Sequence, residues 1–327
     1  MKVLIIRFSS IGDLTQALSI PSFIKSYVPD AEIHFVTRSD LSAIVKNHPM
    51  VHKTWSLDRK DGLKGLLKLI KELQSQNFTH VYDAHNNLRS FFIRTFVNAK
   101  FKLVRPMMRF KRFLLLQFHI NLFEKPFSGQ RDLIKPLEKW NMKYTLPPAP
   151  QLFLGSEHKQ AAADLIDSKN YVTLVPSAAY DLKKWPLEYW DELIKKNQHL
   201  TFVVLAGKDD HFTEKLNNNK NVINCTGKTD LLTSAAIIEN AKLTITNDTG
   251  LLHFSEQLGK PTIALMGPAP FGFPSRSSTH ILERNLKCRP CSKHGQGPCT
   301  NPNFQECLRS ITSSEVSIKM TQLLENL

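Results

Sequence analysis

An acidic residue follows the first apolar strand of the chain in the loop FSSIGDL, residues 8–14. Ser10 and Gly12 allow a tight turn, and Asp13 falls near the start of the helix that follows. A carboxylate in that place can act as a general base toward an attacking hydroxyl group, or it can interact with the helix macrodipole, and spacing alone favours neither. The loop matches neither GxGxxG nor GxxxxGK(S/T), so it does not predict a phosphate site.

A second loop lies between an apolar strand and a helix within TITNDTGLLHFSEQLGKP, residues 244–261. Its sequence is Asn247-Asp248-Thr249-Gly250. The unpaired N–H groups and positive dipole end of such a helix suit a pyrophosphate. The simpler interpretation is a capped helix with Asp248 or Thr249 as its N-cap. His253 lies one turn into the helix. A single histidine at such a position more often packs against neighbouring residues than binds a ligand.

A third loop lies within VPSAAYDLKKWPLEYW, residues 175–190. A strand ends at Ser177, and Lys183 and Lys184 precede Trp185-Pro186 at the next helix start. A cation placed beside the second loop would neutralise a departing diphosphate. Without that neighbour, the two lysines would be ordinary solvated residues.

Strands and helices alternate around these loops in both halves of the chain. Strand-like runs are KVLIIR, EIHFVT, KTWSLD and HVYDA, then YVTLVPS, TFVVLAG, NVINCTG, LTITND and PTIALMG; the helix GLKGLLKLIKELQSQ places Leu63, Leu66, Leu67, Ile70 and Leu73 on one stripe. This alternation predicts an α/β protein with two Rossmann-like doubly wound domains. The carboxyl ends of the two sheets would face each other across a ligand-binding cleft.

Proline concentrates in TLPPAPQLFLGSEH, residues 145–158, which marks a linker. We therefore expect one domain over residues 1–150, a second over 151–310 and a closing helix over 311–327, capped by Ser313 or Ser314.

Positive charge is concentrated in the N-terminal half. The chain carries a net charge of +14; residues 1–150 hold 24 Lys and Arg against 11 Asp and Glu, and the rest hold 19 against 18. Such a bias attracts anionic partners, namely phosphorylated glycolipid, acidic membrane or nucleic acid, or it simply keeps the surface soluble. No run approaches the roughly 18 apolar residues of a membrane span, and the apolar start is too short for a signal peptide. We expect a cytoplasmic protein.

In order and spacing, four motifs resemble the heptosyltransferases of glycosyltransferase family 9. They are FSSIGDL, DAHNNLRS, the K-x-W-P at Lys183 and NDTGxxH at 247–253, and the resemblance covers essentially the whole chain. It implies the two-domain GT-B fold, with acceptor on the N-terminal domain and ADP-sugar on the C-terminal one. It also implies inversion at the anomeric carbon without a catalytic metal or other required cofactor.

The resemblance assigns roles to individual residues. Asp13 matches the proposed base and Lys183 the diphosphate-binding lysine. The donor side takes Ser177, Asp248, Thr249, Gly250, Leu251 and His253, and the acceptor side takes Ser10, Gly12 and Arg89. The acidic residue expected to bind the donor ribose is Asp209 or Asp210.

This chain departs from the family motif D-x-Q-G-N-x-R-S at two positions. Residues 83–90 have His85 and Asn86 in place of Gln and Gly. The resemblance therefore does not specify the acceptor, which we expect to be anionic lipopolysaccharide or lipid A carrying Kdo or heptose.

Basic and apolar residues interleave between Lys100 and Arg112, and no acidic residue occurs from Ala84 to Phe123. The pattern suits phosphate-bearing lipid or the inner face of the inner membrane, where each basic residue contributes about 1 kcal/mol. An ordinary helix with a basic solvent side gives the same pattern.

Four of the five cysteines cluster as Cys288-x2-Cys291-x7-Cys299-x7-Cys307. Disulfides are disfavoured in the cytosol, so the cluster predicts either a structural zinc site or free thiols. Cys225 stands apart and is expected to be buried.

The rival function is a basic binding protein for nucleic acid or another anionic ligand, with a vestigial nucleotide cleft. The charged N-terminal half favours it, but the sequence contains no RNP1 motif or C2H2 finger. We therefore expect a glycosyltransferase with no nucleic-acid partner.

Overall fold

The computed structural model describes residues 1–168 and 170–327, which form two compact units. The first comprises Met1–Met108 and Gly129–Phe153, and the second comprises Arg109–Ser128 and Leu154–Leu327. A single division at residue 150 does not describe this arrangement, because residues 109–128 belong to the second unit.

Residues 1–153 alternate between parallel strands and helices. In chain order they form β1 (Lys2–Ile6), α1 (Ile11–Ala17), α2 (Ser19–Tyr27), β2 (Glu32–Arg38), α3 (Ser42–Lys46), β3 (Lys53–Leu57), α4 (Gly62–Gln74), β4 (His80–Asp83), α5 (Leu88–Phe96), β5 (Phe101–Val104), α6 (Arg109–Phe118) and α7 (Gly129–Ile134), with 3-10 helices at Ser39–Leu41 and Lys135–Trp140. The sheet of the first unit has the order β3-β2-β1-β4-β5, and all its pairs are parallel.

The remaining chain repeats the scheme in the second unit. It forms α8 (Ser156–Leu165), β6 (Tyr171–Val175), α9 (Leu187–Lys196), β7 (Thr201–Val204), β8 (Val222–Asn224), α10 (Leu231–Asn240), β9 (Leu243–Asn247), α11 (Gly250–Gln257), β10 (Thr262–Leu265), β11 (Thr279–Leu282), α12 (Glu306–Arg309) and α13 (Ser313–Glu325), with 3-10 helices at Asp181–Lys183 and His211–Asn218. Its parallel sheet has the order β11-β10-β9-β6-β7-β8.

Both strand orders reverse direction next to the first strand of the unit, as in doubly wound Rossmann folds. In the first sheet the reversal lies between β1 and β4, and in the second between β6 and β9. Ligands of such sheets bind beyond the carboxyl ends of the strands at this reversal. The two loops that flank it in each unit contain the residues selected from the sequence. The predicted fold class is confirmed.

The central strands are apolar because helices cover both faces of a parallel sheet. Residues 3–6 of β1 and every residue of β6 are buried. The helix α4 buries one stripe, which contains Leu66, Ile70 and Leu73. The predicted stripe was wrong for Leu63 and Leu67, which are exposed, since the core contacts a narrower face of the helix.

Two edge strands and one helix cap differ from the sequence predictions. β5 and β11 are short edge strands with little apolar pattern, and β5 occupies part of the basic segment. The closing helix α13 is capped by the hydroxyl of Thr312, which accepts the Glu315 N–H, so the predicted serine caps were wrong by one or two positions.

In residues 1–168 and 170–327, no helix has the length and apolar character of a membrane span.

Candidate functional site

Asp13 in the first unit is held by three donors from the segment that follows β1. Its Oδ2 atom lies 2.6 Å from Nη2 of Arg7 and accepts the hydroxyl (3.0 Å) and backbone N–H (3.3 Å) of Ser10. Ser10 is the N-cap of α1 and Asp13 is the third residue of the helix, as in a capping box. The Asp13 side chain is 42% exposed, whereas that of Arg7 is only 6% exposed. The carboxylate is therefore both a helix-start residue and accessible to a ligand.

Positive charges keep Asp13 ionised. Burial raises the pKa of Asp13, but the guanidinium groups of Arg7 and Arg105 and the hydrogen bonds from Ser10 outweigh it and bring the pKa to about 2. An ionised carboxylate is the form that accepts a proton.

Arg7 connects the two loops that flank the strand-order reversal in the first sheet. Its Nη1 donates a hydrogen bond of 2.7 Å to the carbonyl of Ala84, directly after β4, while Nη2 contacts Asp13. Arg7 was not among the site residues predicted from the sequence. The sequence does contain a signal for it, since an arginine directly follows the apolar strand VLII. A charge in such a buried position needs partners.

The loop after β4 explains one departure from the family motif. Asn86 adopts a left-handed backbone with φ of 59°, a conformation open to Gly and, next best, to Asn. Its side chain donates to the Arg105 carbonyl at 2.9 Å, and its N–H donates to Asp83 Oδ1 at 2.7 Å. Asparagine can therefore replace glycine without changing the turn.

The other residues predicted for the acceptor side lie in the helices that follow β1 and β4. Gly12 is half-buried in α1, and Arg89 is exposed in the first turn of α5. His85 packs edge-on against Phe8, with ring centroids 5.6 Å apart, and burial followed by the charge of Arg7 lowers its pKa to about 4. His85 is therefore neutral at physiological pH.

In the second unit, the loop after β9 ends in a capped helix start. The Thr249 hydroxyl accepts the Leu251 N–H at 3.3 Å, so the N-cap of α11 is Thr249 rather than Asp248. Gly250 is the first helical residue. The adjacent Asn247 was not selected as a site residue, yet it is fully buried and joins both loops. Its side chain accepts the Trp185 N–H at 3.1 Å and donates to the Pro176 carbonyl at 2.7 Å.

Lys183 and Asp248 form a buried ion pair beside this helix start. Lys183 Nζ lies 2.5 Å from Asp248 Oδ2, and the two side chains are 13% and 7% exposed. Two sequence-predicted donor residues, far apart in the chain, are thereby brought together within one unit. An ammonium group next to the N–H groups of a helix start is suited to an anionic ligand such as a diphosphate.

Two glycines with positive φ pack against this pair. A Cβ atom at Gly272 (φ +105°) would lie 2.6 Å from Asp248 Oδ1, and one at Gly295 (φ +81°) would lie 2.7 Å from Lys183 Cγ. Larger residues at these positions would displace the side chains of the pair, so glycine is required for their present positions.

Other predicted donor-side residues have different surroundings. Ser177 is half-buried just after β6. His253 is buried on α11 with Nδ1 3.5 Å from Glu256 Oε2, and Glu256 Oε1 accepts the backbone N–H groups of Ser275 and Arg276. Asp210 Oδ2 accepts the Gly207 N–H at 2.9 Å, as expected for a turn residue.

Two groups of side chains contain potential metal ligands. The ligand atoms of Glu32, His34 and His52 all lie within 4.8 Å of one another. However, His34 Nδ1 accepts the Trp55 indole N–H at 2.9 Å, so Nε2 carries the proton that it shares with Glu32. Lys2 Nζ contacts the same carboxylate oxygen at 2.9 Å. With the imidazole lone pair used and an ammonium group adjacent, this group does not fit a metal ion.

The second group is the four clustered cysteines. Cys288, Cys291, Cys299 and Cys307 all carry free thiols and line one small cavity in the second unit. Cys225 is buried elsewhere, as predicted.

Known proteins resemble this chain in sequence over most of its length. The model for glycosyltransferase family 9 (heptosyltransferase) matches residues 66–299, well over half of the 327 residues. The lipopolysaccharide core heptosyltransferase OpsX of Haemophilus influenzae is 24% identical over 80% of this chain and 77% of its own length.

Solved structures of similar proteins cover nearly the whole chain. A family 9 glycosyl transferase from Veillonella parvula superimposes with a TM-score of 0.82 at 18% identity, over 100% of this chain and 98% of that one. Heptosyltransferase WaaC of Escherichia coli, solved with ADP-2-deoxy-2-fluoro heptose, gives 0.71 at 19% identity over 98% and 99%. The predicted GT-B fold is thereby confirmed.

Proposed function

Because the chain belongs to glycosyltransferase family 9, we propose that it transfers heptose from ADP-heptose to the inner core of lipopolysaccharide, onto a Kdo or heptose acceptor. The observation that supports this most directly is the Lys183–Asp248 pair at the start of α11. A cation beside the first backbone N–H groups of a helix is a combination suited to a sugar diphosphate. The rival function, a nucleic-acid-binding protein, receives no support from the relatives.

The second unit binds the donor in this proposal. Lys183 and the first backbone N–H groups of α11 contact the diphosphate, and Thr249 adds a hydroxyl group. As the bond between the anomeric carbon and the diphosphate oxygen breaks, negative charge develops on the leaving ADP. The same cation and helix start stabilise that charge, which is the part of catalysis that usually contributes most.

The first unit supplies the base. The acceptor hydroxyl attacks the anomeric carbon from the face opposite the diphosphate, so that the glycosidic bond forms with inversion. Asp13 takes the proton of that hydroxyl group. Its three donors hold Oδ2 in place, and a carboxylate that is ionised at neutral pH needs no prior deprotonation. The chemistry requires no cofactor beyond the donor.

A donor screen tests the proposal. ADP-, UDP- and GDP-linked sugars are offered to the purified protein, and release of the nucleoside diphosphate is measured with and without a lipopolysaccharide acceptor truncated in its inner core. We expect turnover with ADP-heptose that depends on the acceptor. Turnover with a UDP- or GDP-sugar but none with ADP-heptose would contradict the proposal.

The acceptor is a membrane glycolipid, and α6 provides a surface that suits it. Phe110, Phe113 and Phe118 are 69%, 53% and 59% exposed, and exposed Arg109 lies on the same helix. Aromatic side chains beside basic ones favour the interface of an anionic bilayer. We therefore propose a cytoplasmic enzyme that binds peripherally to the inner face of the inner membrane.

Vesicle sedimentation tests the membrane contact. The protein should bind vesicles with phosphatidylglycerol and not neutral phosphatidylcholine vesicles, and Phe110→Ser with Phe113→Ser should weaken binding. The matched control replaces Leu63 and Leu67, exposed on α4, with serine and should leave binding unchanged. Equal binding by both double variants would exclude α6 as the contact.

A further inference from the structure

Four cysteines spread over residues 288–307 converge on one cavity that the proposed reaction does not use. The cavity has a volume of about 10 Å³ and is lined by all four, together with Leu182 and Pro268. That is about the space of one water-sized atom. None of the four thiols is in a disulfide.

We propose that Cys288, Cys291, Cys299 and Cys307 bind one transition-metal ion of the zinc class in a tetrahedral thiolate site, and that this ion fixes the loop that positions Lys183. A tetrahedral set of four sulfurs is typical of zinc and of iron. On binding, each thiol loses its proton to solvent and forms one metal–sulfur bond of about 2.3 Å. The four sulfur atoms are farther apart than the ligand atoms of Glu32, His34 and His52, so binding of the ion requires the cysteine side chains to rotate inward.

Neighbouring N–H groups already donate hydrogen bonds to the cysteine sulfurs, as thiolates would require. Asn301 Nδ2 donates to Cys288 Sγ at 3.4 Å, and the Gln305 N–H donates to Cys299 Sγ at 3.2 Å. Such N–H donors are the usual outer shell of metal-bound sulfur. Arg289 also lines the cavity, and its buried Nε has no hydrogen-bond partner in the described part of the chain. The same guanidinium is ion-paired with Glu283 through Nη2 (3.0 Å to Oε2), so only Nε remains to donate a hydrogen bond toward a thiolate.

The cysteine loop is in direct contact with the segment that contains Lys183. Gln305 Nε2 donates to the carbonyls of Asp181 (3.2 Å) and Lys184 (2.8 Å), which lie on either side of Lys183 in the chain. Gly295, in the same loop, packs against the Lys183 side chain. A bound ion would tether the loop from which Gln305 and Gly295 make these contacts, so its removal would loosen them. Lys183 would then be held less firmly beside Asp248.

Metal analysis tests the site without any substrate, so its result does not depend on the proposed function. The reduced protein is purified without chelator or metal-affinity resin, and its metals are measured by inductively coupled plasma mass spectrometry. We expect about one zinc or iron ion per chain. Visible absorption from iron–thiolate bonds distinguishes the two, and either metal supports the site. Absence of stoichiometric metal, even after reconstitution with zinc or iron under reducing conditions, would overturn it.

Variants assign the ligands. Cys291→Ser and Cys299→Ser should each lose the metal, while Cys225→Ser, the matched control outside the cluster, should retain it. If the variants do not fold, the wild type still gives an answer. Titration with a mercurial should release one metal ion, followed with a chromogenic chelator, as four thiols react. Release that does not depend on thiol modification would contradict thiolate ligation.

Coupling to Lys183, which depends on the proposed ADP site, is measured by calorimetry. Metal removal should weaken ADP binding about tenfold, the effect of losing one contact to a charged group, and zinc should restore it. In Lys183→Met, metal removal should have no further effect. Stoichiometric metal with unchanged ADP affinity after its removal would retain the site and overturn its positioning role. Absence of ADP binding in the intact wild type would instead contradict the proposed function.

Discussion

The two units place opposite charges at equivalent points of the same fold, but they expose them differently. In the first unit the buried partner is the cation Arg7, and the acid Asp13 is accessible. In the second unit Asp248 is buried and the Lys183 side chain is only 13% exposed, and the pair lies at a helix start. An accessible carboxylate backed by a buried cation is suited to proton transfer, whereas a buried pair beside helix-start N–H groups is suited to holding an anion.

The two ion pairs also differ in the cost of losing one partner. Removing one member of a buried pair leaves an uncompensated charge in the interior. A partly exposed carboxylate is instead stabilised by water when its partner is lost, so the change affects its pKa more than stability.

Asp13→Asn should have the largest effect on turnover. The amide keeps the size of the side chain but accepts no proton, so we expect kcat to fall about 100- to 10,000-fold with ADP affinity unchanged. Steady-state kinetics and calorimetry measure the two quantities. Turnover close to that of the wild type would show that Asp13 is only a helix-start residue.

Lys183→Met should reduce both stability and donor binding. The buried Asp248 charge is left alone, so the free energy of unfolding should fall by about 3 kcal/mol, measured with urea. ADP binding should weaken about 10- to 100-fold. The control is Lys183→Met with Asp248→Asn, which should regain stability but not ADP affinity. Recovery of ADP affinity in the double variant would mean that Lys183 serves only to neutralise Asp248.

Arg7→Met should move the acid limb of the pH–rate profile. Asp13 has a folded-state pKa of about 2, below its ordinary value, so it stays ionised until the pH falls through that range. Removing Arg7 raises that pKa, and the acid loss of kcat/KM should then begin at higher pH. Arg7→Lys keeps the charge and should stay closer to the wild type. An unchanged acid limb in Arg7→Met would contradict the role of this ion pair.

Gly295→Ala should have the smallest of these effects. Its Cβ would collide with Lys183 Cγ, whereas Gly297→Ala, at a similar φ of +86°, meets nothing within 4 Å. Both variants carry the same backbone strain, so their difference reports the Lys183 contact. We expect ADP binding to weaken roughly three- to tenfold in Gly295→Ala only. Equal affinities would mean that Lys183 can shift without cost.

Much of the fold could be predicted because local apolar patterns in the sequence specify its strands and helices. Apolar runs such as residues 2–7 and 171–177 predicted the central strands, and the loops that follow them were correctly placed at the carboxyl ends. The edge strands β5 and β11 were missed, because each has only four residues and a weak apolar pattern, whereas the edge strands β3 and β8 were predicted. The cap of α13 was missed because three adjacent hydroxyl residues, Thr312, Ser313 and Ser314, offer equivalent caps in sequence.

By itself, the sequence determined which side chains could do chemistry and at which strand ends they lie. Only the tertiary structure decided their partners: Lys183 with Asp248, Arg7 with both Asp13 and Ala84, and four cysteines around one cavity. The physical reason is separation along the chain. Asn247 and Trp185, for example, are hydrogen-bonded across 62 positions. Periodicity and spacing report local structure, whereas such contacts exist only once the sheets have assembled.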